Sequence, residues 1–337
     1  MNTARIYLFL ALALLSGCGT IARGDGGGEN LPTRGIIPFE KLTAPEDDDE
    51  STWPFVITGE EIDYSDPAPI VVGDELWLFA VEATESSSRI VRFTSADGIT
   101  FGDPSVVLGA ELAWQEGRLG SPSVVFYRGE YRLWYEAGTS AVAVGAARSA
   151  DGVSWTSDPN PVLVSTDGEV LSAPAVTFFL DRLTMYVSST IQIEDDGETE
   201  ARTRIVRVDS PDGATWTRGA IVLAPGEDCV GDDGEATPCW DSKYVQAAGL
   251  RVSQSPTGRP LLDMWYTGGL NDNANIGFAG SYDGTAFSRY DLNPILDGRG
   301  DENSPGIIEF GDRLLLYYSG PSGGQSAIGV AINDRWP

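Results

Sequence analysis

The sequence predicts an all-β protein: a five-bladed β-propeller of four-stranded antiparallel blades, the last blade closed by a strand from the N-terminal end. Three observations carry this. A heptapeptide recurs as "SADGITF" from Ser95, "SADGVSW" from Ser149, "SPDGATW" from Ser210 and "SYDGTAF" from Ser281, at spacings of 54, 61 and 71 residues. Self-similarity on that scale marks a repeat architecture. An inner segment recurs five times, as "DPAPIVV", "SPSVVFY", "APAVTFF", "QAAGLRV" and "SPGIIEF". The chain also carries two terminal fragments that complete each other.

Each repeat reads as four short strands. The inner segment is followed by a turn, such as Gly73-Asp74 or Gly311-Asp312, and then by an apolar run such as "LWLFAVEA", "YRLWYEAG" or "LLDMWYTGG". A third segment ("IVRFTSADG", "VGAARSADG") leads into the heptapeptide, and a fourth carries "PSVVL", "NPVLV", "AIVLA" or "NPIL". β-Branched and aromatic residues separated by turn residues are strand signals, and no stretch beyond the N-terminal leader shows a period of 3.6. In the heptapeptide, Asp accepts backbone N–H bonds and Gly takes a positive φ, so Asp97, Asp151, Asp212 and Asp283 read as turn residues.

The fifth unit stops at "IGVAINDRWP" after three strands, while "STWPFVIT" (Ser51–Thr58) reads as a fourth strand with nothing before it. Pairing the two closes the ring and removes an exposed sheet edge. Four-stranded units repeated in this way are a propeller signature. The expected layout is residues 1–18 as leader, 19–50 as tether and 51–337 as propeller.

With 22 Lys and Arg against 50 Asp and Glu, the formal charge is −28. That argues against nucleic acid, whose phosphates require a basic surface. In the leader, Arg5 precedes the apolar run "IYLFLALALL", and "LSGC" ends at Cys18. The run is too short to span a bilayer. The pattern resembles a bacterial lipoprotein signal, which implies lipidation (palmitate included) of Cys18, a cell-envelope location and membrane contact through the anchor alone. The Gly-rich, then acidic, stretch to about residue 50 fits a tether. Cys229 and Cys239 flank an acidic loop, and in an exported chain a disulfide is their natural pairing. The loop's carboxylates do not have EF-hand spacing.

The chain has no His. Ser-His-Asp and Cys-His mechanisms and His-ligated metals are therefore excluded, and no cofactor or metal is expected. Carboxylates remain, and a pair of carboxylates is the usual machinery of glycoside hydrolysis.

The five-unit layout, "SDP" at the first inner segment and hairpins such as "GEYRLWYEAG" resemble the five-bladed propellers of glycoside hydrolase family 43 and the invertase-type and mannoside-phosphorylase families. The resemblance covers about residues 50 to 337. It implies a central funnel in which an Asp of the first blade is base or nucleophile, a second Asp tunes pKa and a Glu is general acid. Asp66 matches the first position. The second blade has Ser121-Pro122 where the family has Asp-Pro, and the third has Ser172 and Ala173 where a Glu is expected. Losing a general acid forfeits about 10²–10⁴-fold in rate. Candidate substitutes near the inner strands are Glu116, Glu169, Asp241, Lys243 and Glu302, with Trp114, Trp240 and Tyr244 as sugar-stacking aromatics.

The heptapeptides also resemble the Asp-boxes of six-bladed sialidases, but five units are counted and the Arg residues fall at turns or third strands. Two functions stand: a lipid-anchored, monomeric, glycosidase-like propeller that takes a glycan in its funnel, or a non-catalytic envelope propeller that binds glycan or protein. A carboxylate partner for Asp66 distinguishes them.

Overall fold

The computed structural model describes residues 38–42, 55–140, 142–166, 168–195, 198–226, 228–230, 236–255, 257–270, 273–296 and 301–334. The leader with Cys18, and Trp53 in the expected closing strand, lie outside them.

Five blades of antiparallel strands follow one another along the chain, the third and fourth joined by one parallel pair, Thr203 with Tyr244. The first blade holds β2 (Asp63–Val72), β3 (Glu75–Ala83), β4 (Ser88–Ser95) and β5 (Ser105–Leu108), with β1 (Glu40–Lys41) belonging elsewhere. The second holds β6 (Leu119–Tyr127), β7 (Glu130–Ala137) and β8 (Ala143–Ser149), with short β9 (Thr156–Ser157) and β10 (Leu163–Val164) on its outer edge. The third holds β11 (Glu169–Phe179), β12 (Arg182–Asp195), β13 (Glu198–Ser210) and β14 (Thr217–Leu223). A hairpin of β15 (Asp228–Val230) and β16 (Ala236–Pro238) precedes the fourth blade of β17 (Tyr244–Gln254), β18 (Pro260–Gly269), β19 (Asn275–Ser281) and β20 (Ser288–Arg289). The fifth holds β21 (Asn303–Phe310), β22 (Arg313–Ser322) and β23 (Gln325–Asn333), completed by β1. The inner strands neighbour one another in the order β2, β6, β11, β17, β21 and back to β2, which closes a ring.

Each blade buries one large ring against a small inner-strand residue. Phe79 lies opposite Ala68, Trp134 opposite Ser123, Tyr186 opposite Ala175, Trp265 opposite Gly249 and Tyr317 opposite Gly306. All five rings are fully buried. Pairing large with small across the strands lets the blades pack closely near the axis. At Gly306 a Cβ would come within 2.2 Å of the Pro67 carbonyl oxygen, so only glycine fits between the first and fifth inner strands.

The four heptapeptides form one repeated clasp. In the first, the Asp97 carboxylate accepts the N–H groups of Ile99 (2.8 Å) and Thr100 (2.7 Å), while Ser95 Oγ accepts that of Gly98 (2.9 Å). The exposed turn then grips the preceding blade through its carbonyls. Tyr317 donates to Gly98 O (2.6 Å), Arg92 to Gly152 O (2.8 Å), Arg132 to Asp212 O and Arg207 to Asp283 O (2.9 Å). The aspartates are turn residues, as their context in the sequence implies.

Closure uses an N-terminal strand, but its main piece is not the expected one. Glu40 and Lys41 pair with Ile332 and Ala331. Among its described residues, the expected segment adds one bridge, Ile57 to Ile328. Phe39 is buried edge-on against Trp265, 6.3 Å between centroids, and Lys41 forms an ion pair with buried Glu302. Residues 39–42 thus belong to the fifth blade rather than to a tether running through residue 50. The physical reason is the core pocket at Trp265, which takes the Phe39 ring and carries its neighbours onto the β23 edge.

Candidate functional site

The inner strands share a defect at one level. The register of each inner strand with its partner shifts between Ser65 and Ala68, Gly120 and Ser123, Ser172 and Ala175, Gln246 and Gly249, and Asn303 and Gly306. In four blades the first bulged residue precedes a proline and has a left-handed backbone: Asp66 (φ 54°), Ser121 (φ 42°), Ala173 (φ 46°) and Ser304 (φ 50°). A non-glycine residue in this region costs about 1–3 kcal/mol and persists where its surroundings hold it. Proline removes one donor from the ladder at the bulge.

The surroundings that hold it are a chain of hydrogen bonds between blades. The N–H of Asp66 donates to Ser319 Oγ (2.9 Å), that of Ser304 to Thr267 Oγ1 (2.9 Å) and that of Ala173 to Glu136 Oε2 (3.0 Å). Ser319, Thr267 and Glu136 occupy the same place on the second strand of their blades, opposite Asn303, Gln246 and Gly120. In the first blade that place holds Val81, which cannot accept. The N–H of Ser121 turns instead to Asp66 Oδ2, at 3.2 Å.

The bulges ring an open cavity on the axis, lined from four inner strands by Asp66, Ser121, Ala173 and Ser304 and the residues that follow each of them, and from the fourth blade by Gly249 and Leu250. Asp66 is the one carboxylate among the described residues that line it. Beside this wall stands Glu136 of β7, partly buried next to the bulge of β11. Burial pushes its pKa up, and the nearby Asp66 charge adds to the rise, against the Ala173 N–H and the Ser121 hydroxyl, which favour the anion. Glu136 sits at the backbone of Ala173, where the resemblance expects a Glu, but arrives from the neighbouring strand. It escapes notice in the sequence because "YRLWYEAG" reads as a core strand.

Of the residues proposed from the sequence, the structure brings Asp66 and Ser121 together at the cavity. The others are engaged elsewhere. Glu169 forms ion pairs with Arg218 and, at 4.0 Å, Arg204, and accepts from Ser189; the Arg218 guanidinium holds its pKa low. Glu116 is exposed and gathers the N–H and hydroxyl groups of Thr139 and Ser140, led by the Ser140 hydroxyl, which lower its pKa to about 2. Asp241 is buried and accepts from Tyr266 Oη and Arg289 Nε, both at 2.9 Å. Glu302 is committed to Lys41. Trp114 stacks on Tyr135, with ring centroids 6.4 Å apart, and Trp240 packs on Tyr266 at 5.7 Å. Lys243 is exposed and its N–H bonds to Gly269 O, while Tyr244 opens β17 opposite Gly269. None of these eight lines the cavity. Chain proximity to an inner strand chose them, whereas the direction of the side chain decides.

Cys229 and Cys239 form a disulfide, with Cα atoms 4.9 Å apart, that staples the β15–β16 hairpin. Most of the acidic loop inside it lies outside the described residues.

No family model and no curated protein matches the chain. Solved structures do. One described as "Glycoside hydrolase" superimposes with a TM-score of 0.68 at 15% identity, over 90% of this chain and 96% of that one. A thermostable family-43 glycoside hydrolase gives a TM-score of 0.62 at 16% identity, over 81% and 90%. A structure from the GH130 family of mannoside phosphorylases gives 0.55 at 17% identity, over 87% and 93%. The chain is built on the propeller fold that these glycoside hydrolases share.

Proposed function

We propose that the protein is a carbohydrate-active, glycosidase-like propeller that takes a glycan into its axial cavity, anchored in the bacterial cell envelope through Cys18 and acting as a monomer. The observation that carries this reading is the position of Asp66: the one carboxylate among the described lining residues, at a strained, proline-locked bulge, bonded to Ser121, in a cavity otherwise walled by proline, aliphatic and small side chains. Strain of this kind concentrates at functional sites. The fold it shares with glycoside hydrolases, and with BT0996 in its complex with RGII (TM-score 0.66, 14% identity, 88% of this sequence and 90% of that one), supports a saccharide over other small molecules.

A non-catalytic glycan-binding role is favoured by one observation, the Ser121 and Ala173 that stand where the resemblance expects carboxylates. A glycan array paired with a panel of aryl glycosides tests both. Wild type should bind or turn over a saccharide and Asp66→Asn should do neither; equal behaviour of the two proteins would overturn the cavity as the site.

A further inference from the structure

We infer that Glu136 is the proton donor of this site, paired with Asp66, so that the acid missing from the third inner strand is supplied by the second blade. The inference rests on the reading of the cavity as a saccharide site and adds that the site is catalytic.

Three contacts place Glu136 there. Its Oε2 is fixed by the Ala173 N–H at 3.0 Å, which puts the carboxyl group beside a residue that lines the cavity. Ser121, another lining residue, gives its N–H and hydroxyl to Asp66 Oδ2, and Asp66 is near enough to Glu136 for its charge to favour the protonated acid. Opposite Glu136 on β6 stands Gly120, where even a Cβ would be 3.8 Å from the Glu136 Cβ and 3.9 Å from its carboxyl carbon. The absence of a side chain at 120 leaves space over the acid.

The environments divide the roles. Partial burial and the Asp66 charge favour the protonated form of Glu136, the state a general acid needs. Asp66 lines the cavity itself, with its Oδ2 accepting the Ser121 N–H and hydroxyl and its other oxygen left to meet a water. With Oε2 occupied, Oε1 carries the proton. In hydrolysis, Glu136 Oε1–H passes its proton to the glycosidic oxygen as the bond from that oxygen to the anomeric carbon breaks, the bonding pair staying on the oxygen. Water forms the new bond to the anomeric carbon and yields a proton to Asp66. The products are two hydroxyls, and a proton returns from Asp66 to Glu136 through solvent, which restores both groups.

The test uses the mature chain and a panel of methyl glycosides and glycosyl fluorides of the common pentoses and hexoses. Fluoride leaves without a proton, whereas methoxide does not. Glu136→Gln keeps the volume and an acceptor for the Ala173 N–H, so a purely structural role survives in it. The expected result is a loss of about 10²-fold or more on the methyl glycoside with the fluoride turned over nearly as in wild type. Asp66→Asn should lose both. Equal retention of both substrates by Glu136→Gln overturns Glu136 as the acid while leaving the cavity reading intact if Asp66→Asn is dead. A wild type that binds a saccharide through Asp66 but cleaves neither substrate class also overturns the inference alone. Activity retained in Asp66→Asn overturns the cavity reading itself.

Discussion

Ser121 gives both its backbone N–H (3.2 Å) and its hydroxyl (3.4 Å) to the same oxygen of Asp66. The carboxylate thus substitutes for the acceptor that Val81 cannot provide, and it joins the first two blades at the cavity wall.

That double duty separates two substitutions at residue 66. Asp66→Asn keeps an acceptor for Ser121 and a side chain that tolerates the left-handed backbone, so its melting temperature should stay close to wild type while saccharide binding is lost. Asp66→Ala leaves the Ser121 N–H unpaired and should cost about 1–3 kcal/mol. Thermal melts of the two proteins, with a binding assay on each, check this; an Asn variant that melts as low as the Ala variant would contradict the geometry.

Ring closure depends on β1. A chain that starts at Phe55 lacks the Glu40–Lys41 pairing, the buried Phe39 ring and the cation of the Lys41–Glu302 pair. Its melting temperature should fall. Lys41→Met alone leaves Glu302 buried without its cation, at a cost of about 3–5 kcal/mol. Adding Glu302→Gln should restore most of that loss, and denaturant titrations of the three proteins measure it.

The Asp97 clasp predicts acid sensitivity. N–H bonds, that of Thr100 first, hold the Asp97 carboxyl near 2 against an ordinary 3.8. A depressed folded-state pKa means that the turn contributes stability above about pH 4 and loses it as pH falls towards 2. Asp97→Ala should therefore be less stable than wild type at pH 6 and approach it near pH 2. Melts across that range at fixed salt check the convergence.

Cys229 and Cys239 should resist maleimide in the folded chain lacking residues 1–18 and react after reduction. Labelling before reduction, followed by mass spectrometry, would show the hairpin unstapled.

Much of the fold was legible because its signals are local. Asp-Gly turns, alternating strands and five inner segments each occupy a few consecutive residues. Closure of the last blade by an N-terminal strand was legible too, but its main piece was not, because two residues, Glu40 and Lys41, carry no periodicity, and what places them is the fit of Phe39 against Trp265, more than two hundred positions away. Asp66 was legible because an acid before proline lacks the turn context of Asp97. Glu136 was hidden inside an apolar run, and its meaning depends on the register that sets it opposite Gly120 and beside Ala173. Asp241 and Glu302 look like site acids in sequence and are in fact buried in pairs with Arg289 and Lys41.

The repeated bulge has a consequence for how such a molecule changes over evolutionary time. Asp66, Ser121, Ala173 and Ser304 share one backbone shape, set by the proline after each and by acceptors donated from adjoining blades. At 121, 173 and 304 the link to the adjoining blade is made by the backbone N–H, so the identity of the side chain there is nearly independent of folding, while at 66 it must also accept the Ser121 N–H. Those three behave as interchangeable sockets, in which a single codon change trades one functional group for another without redrawing the scaffold.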